Sequence, residues 1–224
     1  MKLKAVIFDL DGVLVSTDEY HYLAWKKIAD EQGIYFDREI NHRLRGVSRM
    51  ASLDIVLERA SKTYTQEEKE EMAARKNAVY VESLSALTPE DLLPGAAALL
   101  DSLKEAGVKI AVGSSSKNTP LILKQIGLED KFDAVIDGSM ISRSKPDPEV
   151  FSKAAEAVSA RPEECIVMED AEAGIKAALA AGMTAVGVVT AVGNLPGAHA
   201  VCHSLEELTP QKMEDILVKR LFQG

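Results

Sequence analysis

The stretch Ala5-Val6-Ile7-Phe8, followed at once by Asp9-Leu10-Asp11-Gly12, decides the fold. Four consecutive apolar residues, three of them β-branched or aromatic, predict a short buried strand. Successive side chains of an extended chain point to opposite sides, so Asp9 and Asp11 are expected to point the same way if this geometry continues past the strand. Gly12 then permits a sharp turn of the backbone behind the two carboxylates.

The two carboxylates indicate either a turn or a catalytic site. An Asx-type turn after a strand is common for this residue pattern. The alternative is a site, because two like charges so close together are costly unless a cation or an exchanged proton relieves them. In that case one carboxylate binds a hard metal ion, and the other carries a proton to or from a substrate. The stretch by itself leaves both interpretations open.

The composition limits the class of protein. The chain has 224 residues, of which 46% are apolar and 27% charged, as is typical of a globular protein with one large domain or a core domain carrying a smaller one. The formal net charge of -9 disfavours a nucleic-acid or anionic-membrane partner. Cys165 and Cys202 are expected to be buried reduced thiols, and no secretory segment is recognised, so we expect a cytoplasmic protein.

The chain beyond Gly12 divides into two kinds of sequence. Residues 17–92 have apolar positions at helical spacing and no β-rich run, which predicts a helical insertion. From Pro94 onward, short apolar runs alternate with helical segments, as in a parallel sheet covered on both faces. The predicted strands are 1–8, 109–113, 134–136, 164–168, 184–188 and 200–202. We therefore predict an α/β fold with a doubly wound, Rossmann-like core (1–16 and 93–224) and an inserted all-helical cap domain (17–92).

A long charged helix is predicted within the insertion. The segment Thr65-Gln66-Glu67-Glu68 resembles a capping box that is one residue out of register. It opens a helix that is expected to end at about Ser83.

Polar residues follow several of the predicted strands. In such a sheet, ligands bind outside the carboxyl ends of the strands. The residues expected at that edge are Asp9, Asp11, Ser114–Asn118, Lys145 within Ser144–Pro148, and Glu169–Asp170. Each group alone could belong to a turn or a helix cap. Their occurrence at one edge of one sheet indicates a common site.

This set of residues is suited to phosphoryl transfer. Asp9 is a candidate nucleophile toward phosphorus, and Asp11 would exchange protons with the attacking or leaving hydroxyl. Mg²⁺ is the expected cofactor. It would be bound by Asp9, the backbone carbonyl of Asp11, Asp170, and Glu169 either directly or through a water. Ser114 and Lys145 would hold the phosphoryl oxygens.

The order of these motifs resembles that of the haloacid dehalogenase-like superfamily of phosphotransferases. The matching residues are Asp9-Leu-Asp-Gly12, Ser114, Lys145-Pro146 and Glu169-Asp170, and the helical insertion matches the cap domain of that superfamily. Within it, the chain is most similar to the β-phosphoglucomutases. The stretches that carry this similarity are Thr17–His21, Ala24–Lys26, Gly46–Arg49, Arg75–Asn77, Ser114–Asn118 and Glu169–Ile175.

The resemblance implies roles for residues of the cap and of the core loops. Thr17 and His21 would join the catalytic pair, with His21 coupling cap closure to Asp11. The substrate-binding residues that it implies are Arg45, Gly46, Arg49, Lys76, Ser114, Ser115, Ser116, Lys117, Asn118 and Lys145. Arg45 stands where that family commonly has Lys, and Ser115 stands where a small apolar residue is expected. Without the resemblance, His21, Arg49 and Lys76 would each be interpreted as ordinary surface residues.

We therefore predict a phosphomutase that interconverts β-D-glucose 1-phosphate and β-D-glucose 6-phosphate through phosphorylated Asp9 and β-glucose 1,6-bisphosphate. One alternative is a Mg²⁺-dependent sugar-phosphate phosphatase of the same superfamily, in which water attacks the acyl phosphate. Another is a non-catalytic sugar-phosphate sensor, which would not need both Asp9 and Asp11. We expect a monomer that acts on a hexose phosphate and has no nucleic-acid or membrane partner.

Overall fold

The computed structural model describes residues 2–189 and 195–223. One parallel sheet runs through the core, with its strands in the order β3-β2-β1-β4-β5-β6. The strands are β1 (Ala5–Phe8), β2 (Lys109–Gly113), β3 (Ala134–Ile136), β4 (Cys165–Glu169), β5 (Thr184–Val188) and β6 (Ala200–Cys202). β1 starts later than predicted, and β4 runs one residue further, so Glu169 ends this strand rather than opening the loop. The predicted α/β fold with a parallel core sheet is confirmed.

Helices cover both faces of the sheet. The helices are α1 (Asp18–Glu31), α2 (Arg38–His42), α3 (Arg49–Leu57), α4 (Gln66–Ser83), α5 (Ala96–Glu105), α6 (Thr119–Gln125), α7 (Glu149–Ala157), α8 (Glu172–Ala180) and α9 (Pro210–Gln223). Val6 and Phe8 of β1 pack in one core with residues of α5, α6 and α9. Ala5 and Ile7 pack in a second core with residues of α7 and α8. Side chains of β1 thus point alternately into the two cores, and helices cover both faces of the sheet. A ligand can therefore approach at the ends of the central strands.

The insertion contains helices α1 to α4 and no strand among its residues 17–92. It has an apolar core of its own, in which Trp25, Phe36 and Leu53 are buried. The chain crosses between core and cap twice at one place, where Val15 forms an antiparallel bridge with Leu92. The predicted domain limits, 16/17 and 92/93, lie next to this crossing.

Helix α4 begins with a complete capping box. Thr65 is the N-cap, and its hydroxyl accepts a hydrogen bond from the backbone N–H of Glu68 at 3.2 Å. The Glu68 carboxylate accepts in return from the N–H of Thr65 at 2.7 Å. The predicted offset of one residue is therefore wrong, because Glu68 is the third residue of the helix, as the motif requires.

Two expectations from the composition can be compared with the structure. Cys165 and Cys202 are both buried and free, as predicted. No helix of the described ranges is long and apolar enough to span a lipid bilayer.

Candidate active site

Asp9 leaves the carboxyl end of β1 and meets a buried lysine. The ammonium group of Lys145 donates hydrogen bonds to Asp9 and to Oε1 of Glu169, the latter at 2.7 Å. The other oxygen of Glu169 accepts from the backbone N–H of Ala171 at 2.7 Å. The side chains of Lys145 and Glu169 are 0% and 1% exposed. Both oxygens of Glu169 thus have hydrogen-bond partners within the protein. The bond from Lys145 to Glu169 positions the ammonium group beside Asp9.

The charges of this group depend on one another. Burial alone would lower the pKa of Lys145, but the carboxylates of Asp9 and Glu169 raise it above its ordinary value. Burial raises the pKa of Asp9, and the Lys145 ammonium opposes that shift. Because a buried charge is tolerated only when it is paired, the ammonium group favours the ionised, nucleophilic form of Asp9 against the effect of burial.

Asp11 turns its carboxylate toward the first residues of the cap. It accepts hydrogen bonds from the backbone N–H of Thr17 at 2.7 Å and from the Thr17 hydroxyl at 2.5 Å. The Thr17 oxygen also lies 2.9 Å from the hydroxyl of Tyr80 on α4; since the Thr17 proton is directed to Asp11, Tyr80 donates here. Burial raises the pKa of Asp11, and the hydrogen bonds from Thr17 oppose the shift; burial therefore makes the protonated form easier to reach than in an exposed aspartate.

His21 also approaches Asp11, and Lys76 contacts the other side of the His21 ring. Nδ1 of His21 lies 2.7 Å from the Lys76 ammonium, and Nε2 lies 3.7 Å from Asp11. Burial, followed by the charges of Lys76 and Arg49, holds the pKa of His21 well below its usual range. The ring is therefore neutral and accepts from Lys76 at Nδ1, which leaves the N–H at Nε2 facing Asp11. Burial, reinforced by the charge of Arg49, lowers the pKa of Lys76 to about 7.

The arrangement of Asp9 and Asp170 fits a hard divalent cation. Burial raises the pKa of Asp170 well above the usual carboxyl range, and the charges of Glu169 and Asp9 add to the shift. Gly12 has φ of +82°, and a Cβ at this position would lie 2.1 Å from Oδ2 of Asp170. Its lack of a side chain thus lets Asp170 approach the loop after β1. Within the described ranges, no three acidic, histidine or cysteine side chains are grouped as metal ligands. Carboxylate and backbone carbonyl oxygens are the donors that a hard divalent cation prefers.

The loop after β2 supplies hydroxyl and amide groups. The Ser114 hydroxyl is buried and accepts from the N–H of Ser116 at 3.1 Å, while the Ser116 hydroxyl accepts from the N–H of Asn118 at 3.2 Å. Gly138 lies directly beneath the loop, and a Cβ there would come within 2.2 Å of the Ser115 carbonyl oxygen. Gly138 is a residue that the sequence analysis missed. It follows Asp137 directly after β3, and this Asp-Gly pair is the local signal that could have found it.

The cap meets the core through Arg45 and Gly46. The Arg45 guanidinium donates to Asp18 at 2.9 Å and lies 3.9 Å from Asp170 across the boundary. Its two terminal nitrogens thus face two carboxylates at once. The Gly46 carbonyl oxygen lies 3.5 Å from the Ser115 hydroxyl.

A cavity of about 590 Å³ lies between cap and core and brings the candidate residues together. Its walls include the following predicted residues: Asp9, Asp11, His21, Arg45, Gly46, Arg49, Lys76, Ser114, Ser115, Ser116, Lys117, Asn118, Lys145 and Asp170. Thr17 and Glu169 lie behind the walls, where each bonds to a residue that faces the cavity. Asn77, Asp18 and Trp25 also line it, although the sequence analysis assigned them no role.

Comparisons with known proteins agree with this geometry. Residues 3–182 match the haloacid dehalogenase-like hydrolase family. The chain is 46% identical over 215 residues to the β-phosphoglucomutase of Bacillus subtilis (strain 168), with 95% of each chain covered. It is 30% identical over 184 residues to the phosphorylated carbohydrates phosphatase of Thermotoga maritima, covering 81% of this chain and 82% of that one.

Solved structures give the same result. The crystal structure of β-phosphoglucomutase from Clostridium difficile is similar with a TM-score of 0.91 at 39% identity, covering 99% of this chain and all of that one. The predicted Rossmann-like core with a helical cap is thereby confirmed. The chain belongs to the haloacid dehalogenase-like hydrolase family.

Proposed function

We propose that this protein is a phosphomutase that interconverts β-D-glucose 1-phosphate and β-D-glucose 6-phosphate through β-glucose 1,6-bisphosphate. The observation that carries the proposal is that one cavity is lined by two sets of cationic and amide donors of the kind that bind phosphate. Lys145 lies beside Asp9 in the core, and Arg49 lies beside Asn118 at the boundary between cap and core. A bisphosphate needs both sets. The similarity to two β-phosphoglucomutases over nearly the full chain supports the same activity.

Asp9 carries the phosphoryl group between the two transfers. The enzyme begins a cycle with Asp9 phosphorylated, and a sugar hydroxyl attacks the phosphorus, which breaks the bond to the Asp9 oxygen and forms the bisphosphate. The bisphosphate then reorients in the cavity, so that its other phosphate faces Asp9. A carboxylate oxygen of Asp9 attacks that phosphorus, and the bond from the phosphorus to the sugar oxygen breaks. Lys145, the Ser114 hydroxyl and the backbone N–H groups of the following loop hold the phosphoryl oxygens during both transfers.

Asp11 moves the proton in both transfers. It takes the proton from the attacking hydroxyl and returns a proton to the leaving sugar oxygen. The raised pKa of Asp11 supports this role, because a carboxyl group with a pKa nearer to neutrality is both an adequate base and an adequate acid. Thr17 and the neutral His21 hold the carboxylate in position and retain the cap around it.

Mg²⁺ fits the carboxylates of Asp9 and Asp170 and the backbone carbonyl of Asp11. When bound, the ion neutralises the charge that builds up on the transferring phosphoryl group. Glu169 would act on the bound ion through Lys145 or through a water, since both of its oxygens already have partners in the protein.

The remaining predicted residues bind the sugar and the second phosphate. Arg45, Gly46 and Lys76 face the cavity from the cap, and Ser115, Ser116 and Lys117 face it from the core. The buried free thiols of Cys165 and Cys202 support a cytoplasmic location. The monomeric state, and the lack of nucleic-acid and membrane partners that the net charge of -9 favours, stay predictions.

The experiment that tests the proposal follows isomerisation and phosphate release together. The wild-type protein, with Mg²⁺ and with the metal chelated, is given β-glucose 1-phosphate and a catalytic amount of the bisphosphate. We expect formation of glucose 6-phosphate to exceed release of inorganic phosphate by far, and to stop on chelation. Asp9→Asn is the matched variant, because it keeps the shape of the side chain but removes the nucleophile.

Two results would contradict the proposal. Phosphate release without isomerisation would favour the phosphatase alternative, for which the similarity to the Thermotoga maritima phosphatase is the specific observation. Full activity of Asp9→Asn would remove the phospho-aspartyl step.

A further inference from the structure

Asn77 joins the cap to the core through a single oxygen atom. It lies on α4, and its side-chain oxygen accepts a hydrogen bond from the Arg49 guanidinium at 2.7 Å and from the side-chain amide of Asn118 at 3.0 Å. Arg49 opens α3 in the cap, whereas Asn118 belongs to the core loop after β2. Because a guanidinium only donates, the atom of Asn77 that faces Arg49 is its oxygen, and Asn118 then presents its N–H₂ group.

The two donors that meet at Asn77 are the ones proposed to bind the second phosphate. A phosphate oxygen is an acceptor of the same kind as an amide oxygen, but it carries charge and makes stronger hydrogen bonds with a guanidinium. The Asn77 oxygen therefore holds Arg49 and Asn118 converged on one point, as a phosphate oxygen would. Ser116 and Lys117 line the cavity next to Asn118.

Arg49 lacks the carboxylate partner that comparable arginines have. Arg38, Arg43 and Arg45 each form an ion pair with an acidic side chain. Within the described residues, Arg49 is in salt-bridge distance of no carboxylate, and its side-chain bond goes to the neutral Asn77. Burial lowers the pKa of Arg49, in keeping with a half-buried cation that has not been neutralised. Such a cation gains most from an anionic ligand.

We propose that Asn77 is a positioning residue for the second phosphate. In the absence of substrate its oxygen keeps Arg49 and Asn118 together across the boundary, and it yields both donors to a phosphate oxygen when the bisphosphate binds. A neutral acceptor suits this exchange, since it orders the donors and is then displaced by a stronger one. The inference rests on the proposed mutase activity, which requires a site for a second phosphate.

Asn77→Asp and Asn77→Ala distinguish this role from simple adhesion between cap and core. The aspartate has the same shape and keeps both hydrogen bonds, but its charge forms an ion pair with Arg49 that phosphate must break. If Asn77 only holds the domains together, Asn77→Asp behaves as wild type and Asn77→Ala is the damaged variant. If Asn77 stands in for phosphate, Asn77→Asp is the more damaged of the two.

The test measures kcat and KM for isomerisation of β-glucose 1-phosphate, together with phosphorylation of Asp9 by acetyl phosphate. We expect Asn77→Asp to raise KM by about tenfold or more, as for the loss of a charge-assisted contact, and Asn77→Ala to raise it less. Phosphorylation of Asp9 by acetyl phosphate should be spared in both, because that small donor does not reach the second site. Gln66→Glu is the control, since it adds the same charge at the exposed start of the same helix.

A second measurement separates failure of this inference from failure of the proposed function. Binding of β-glucose 1,6-bisphosphate and of the monophosphate is measured by calorimetry in the Asp9→Asn background, with and without Asn77→Asp or Gln66→Glu. A loss of affinity for both sugar phosphates in Asn77→Asp that Gln66→Glu does not share supports the inference, because each ligand places a phosphate at the second site. An unchanged KM in Asn77→Asp, or an equal loss of affinity in Gln66→Glu, overturns it while leaving the mutase intact. A wild-type protein that neither isomerises the sugar phosphate nor binds the bisphosphate overturns both.

Discussion

The ammonium group of Lys145 is a single residue on which both the chemistry and the stability of the core site depend. It is fully buried and bonds to Asp9 and Glu169. Removing it leaves two buried carboxylates without their cation. A buried charge that loses its partner is far more costly than an exposed one, because the desolvation is no longer offset.

We therefore expect Lys145→Ala to lower the free energy of unfolding by about 3–5 kcal/mol and to abolish turnover. Lys176→Ala is the matched control, since Lys176 pairs with Glu172 on the surface with side chains 60% and 56% exposed. Its expected cost is below about 1 kcal/mol. Urea denaturation of the three proteins checks this. An equal decrease in the free energy of unfolding in the two variants would show that the buried ion pair stabilises the protein no more than the exposed one.

Lys76 predicts a pH dependence of stability. Its pKa is about 7 in the folded protein, against 10.5 for a free side chain, chiefly because of burial. Between these values the unfolded state binds more protons than the folded state, so the contribution of Lys76 to stability rises with pH. Below pH 7 both states are protonated and the full cost of burying the charge is present.

The comparison variant is Lys76→Met, which keeps the length of the side chain and removes the titration. We expect the unfolding free energy of wild type, relative to Lys76→Met, to rise from about pH 7 toward pH 10 by at most about 1.4 kcal/mol per pH unit. Denaturation curves at several pH values in this window provide the measurement. A constant difference would show that Lys76 keeps its proton when the protein folds.

At the scale of elements, helix α4 carries the largest share of the cap side of the site. Lys76, Asn77 and Tyr80 lie along it and bond to His21, Arg49 and Thr17, respectively. The helix contains many charged residues, so its position depends on its capping box and on its packing against α1 and α3 rather than on a wide apolar stripe.

Thr65→Ala is expected to cost about 1 kcal/mol, because it removes the side-chain acceptor for the Glu68 N–H. Thr63→Ala is the control: Thr63 is exposed and lies just outside the helix, and its replacement should change stability by less than half as much. Thermal or chemical denaturation distinguishes the two. Identical midpoints for both variants would argue that the box contributes nothing to α4.

At the scale of the whole molecule, the cap is attached by two chain crossings and a few polar contacts. The crossings are joined by the Val15–Leu92 bridge and by the hydrogen bond from the Leu93 N–H to the Leu14 carbonyl at 2.9 Å. Across the cavity, the boundary is held by bonds such as Asn118 to Asn77. Contacts of this kind are weak enough to open and close with the binding of a ligand.

We expect the cap to move as a lid. Small-angle scattering should give a smaller radius of gyration with Mg²⁺, a phosphate analogue and glucose 6-phosphate than without them, because a ligand that contacts both parts favours the closed state. The same ligands with chelated metal serve as the control. Superimposable scattering curves in all conditions would count against closure.

Much of the fold could be predicted from the sequence for local reasons. Short apolar runs located β2, β3, β5 and β6 to the residue, because these runs are bounded by polar or turn-forming residues. The spacing of Asp9 and Asp11 and the glycine after them indicated the site, because alternation and turn geometry act over two or three residues. Most of the residues named in advance line the cavity; those of the core could be named because the ends of parallel strands converge at one edge.

Contacts between distant residues were decided only by the tertiary structure. Three such contacts join segments that no local pattern relates: His21 with Lys76, Asn77 with Asn118, and Gly138 with Ser115. Glu169 was expected to bind the metal directly or through a water, which stays a prediction; that its two oxygens bond to Lys145 and Ala171 is a finding of the tertiary structure. The reason is physical: strand and helix formation depend on neighbours along the chain, whereas the partner of a buried polar group depends on which elements pack against it.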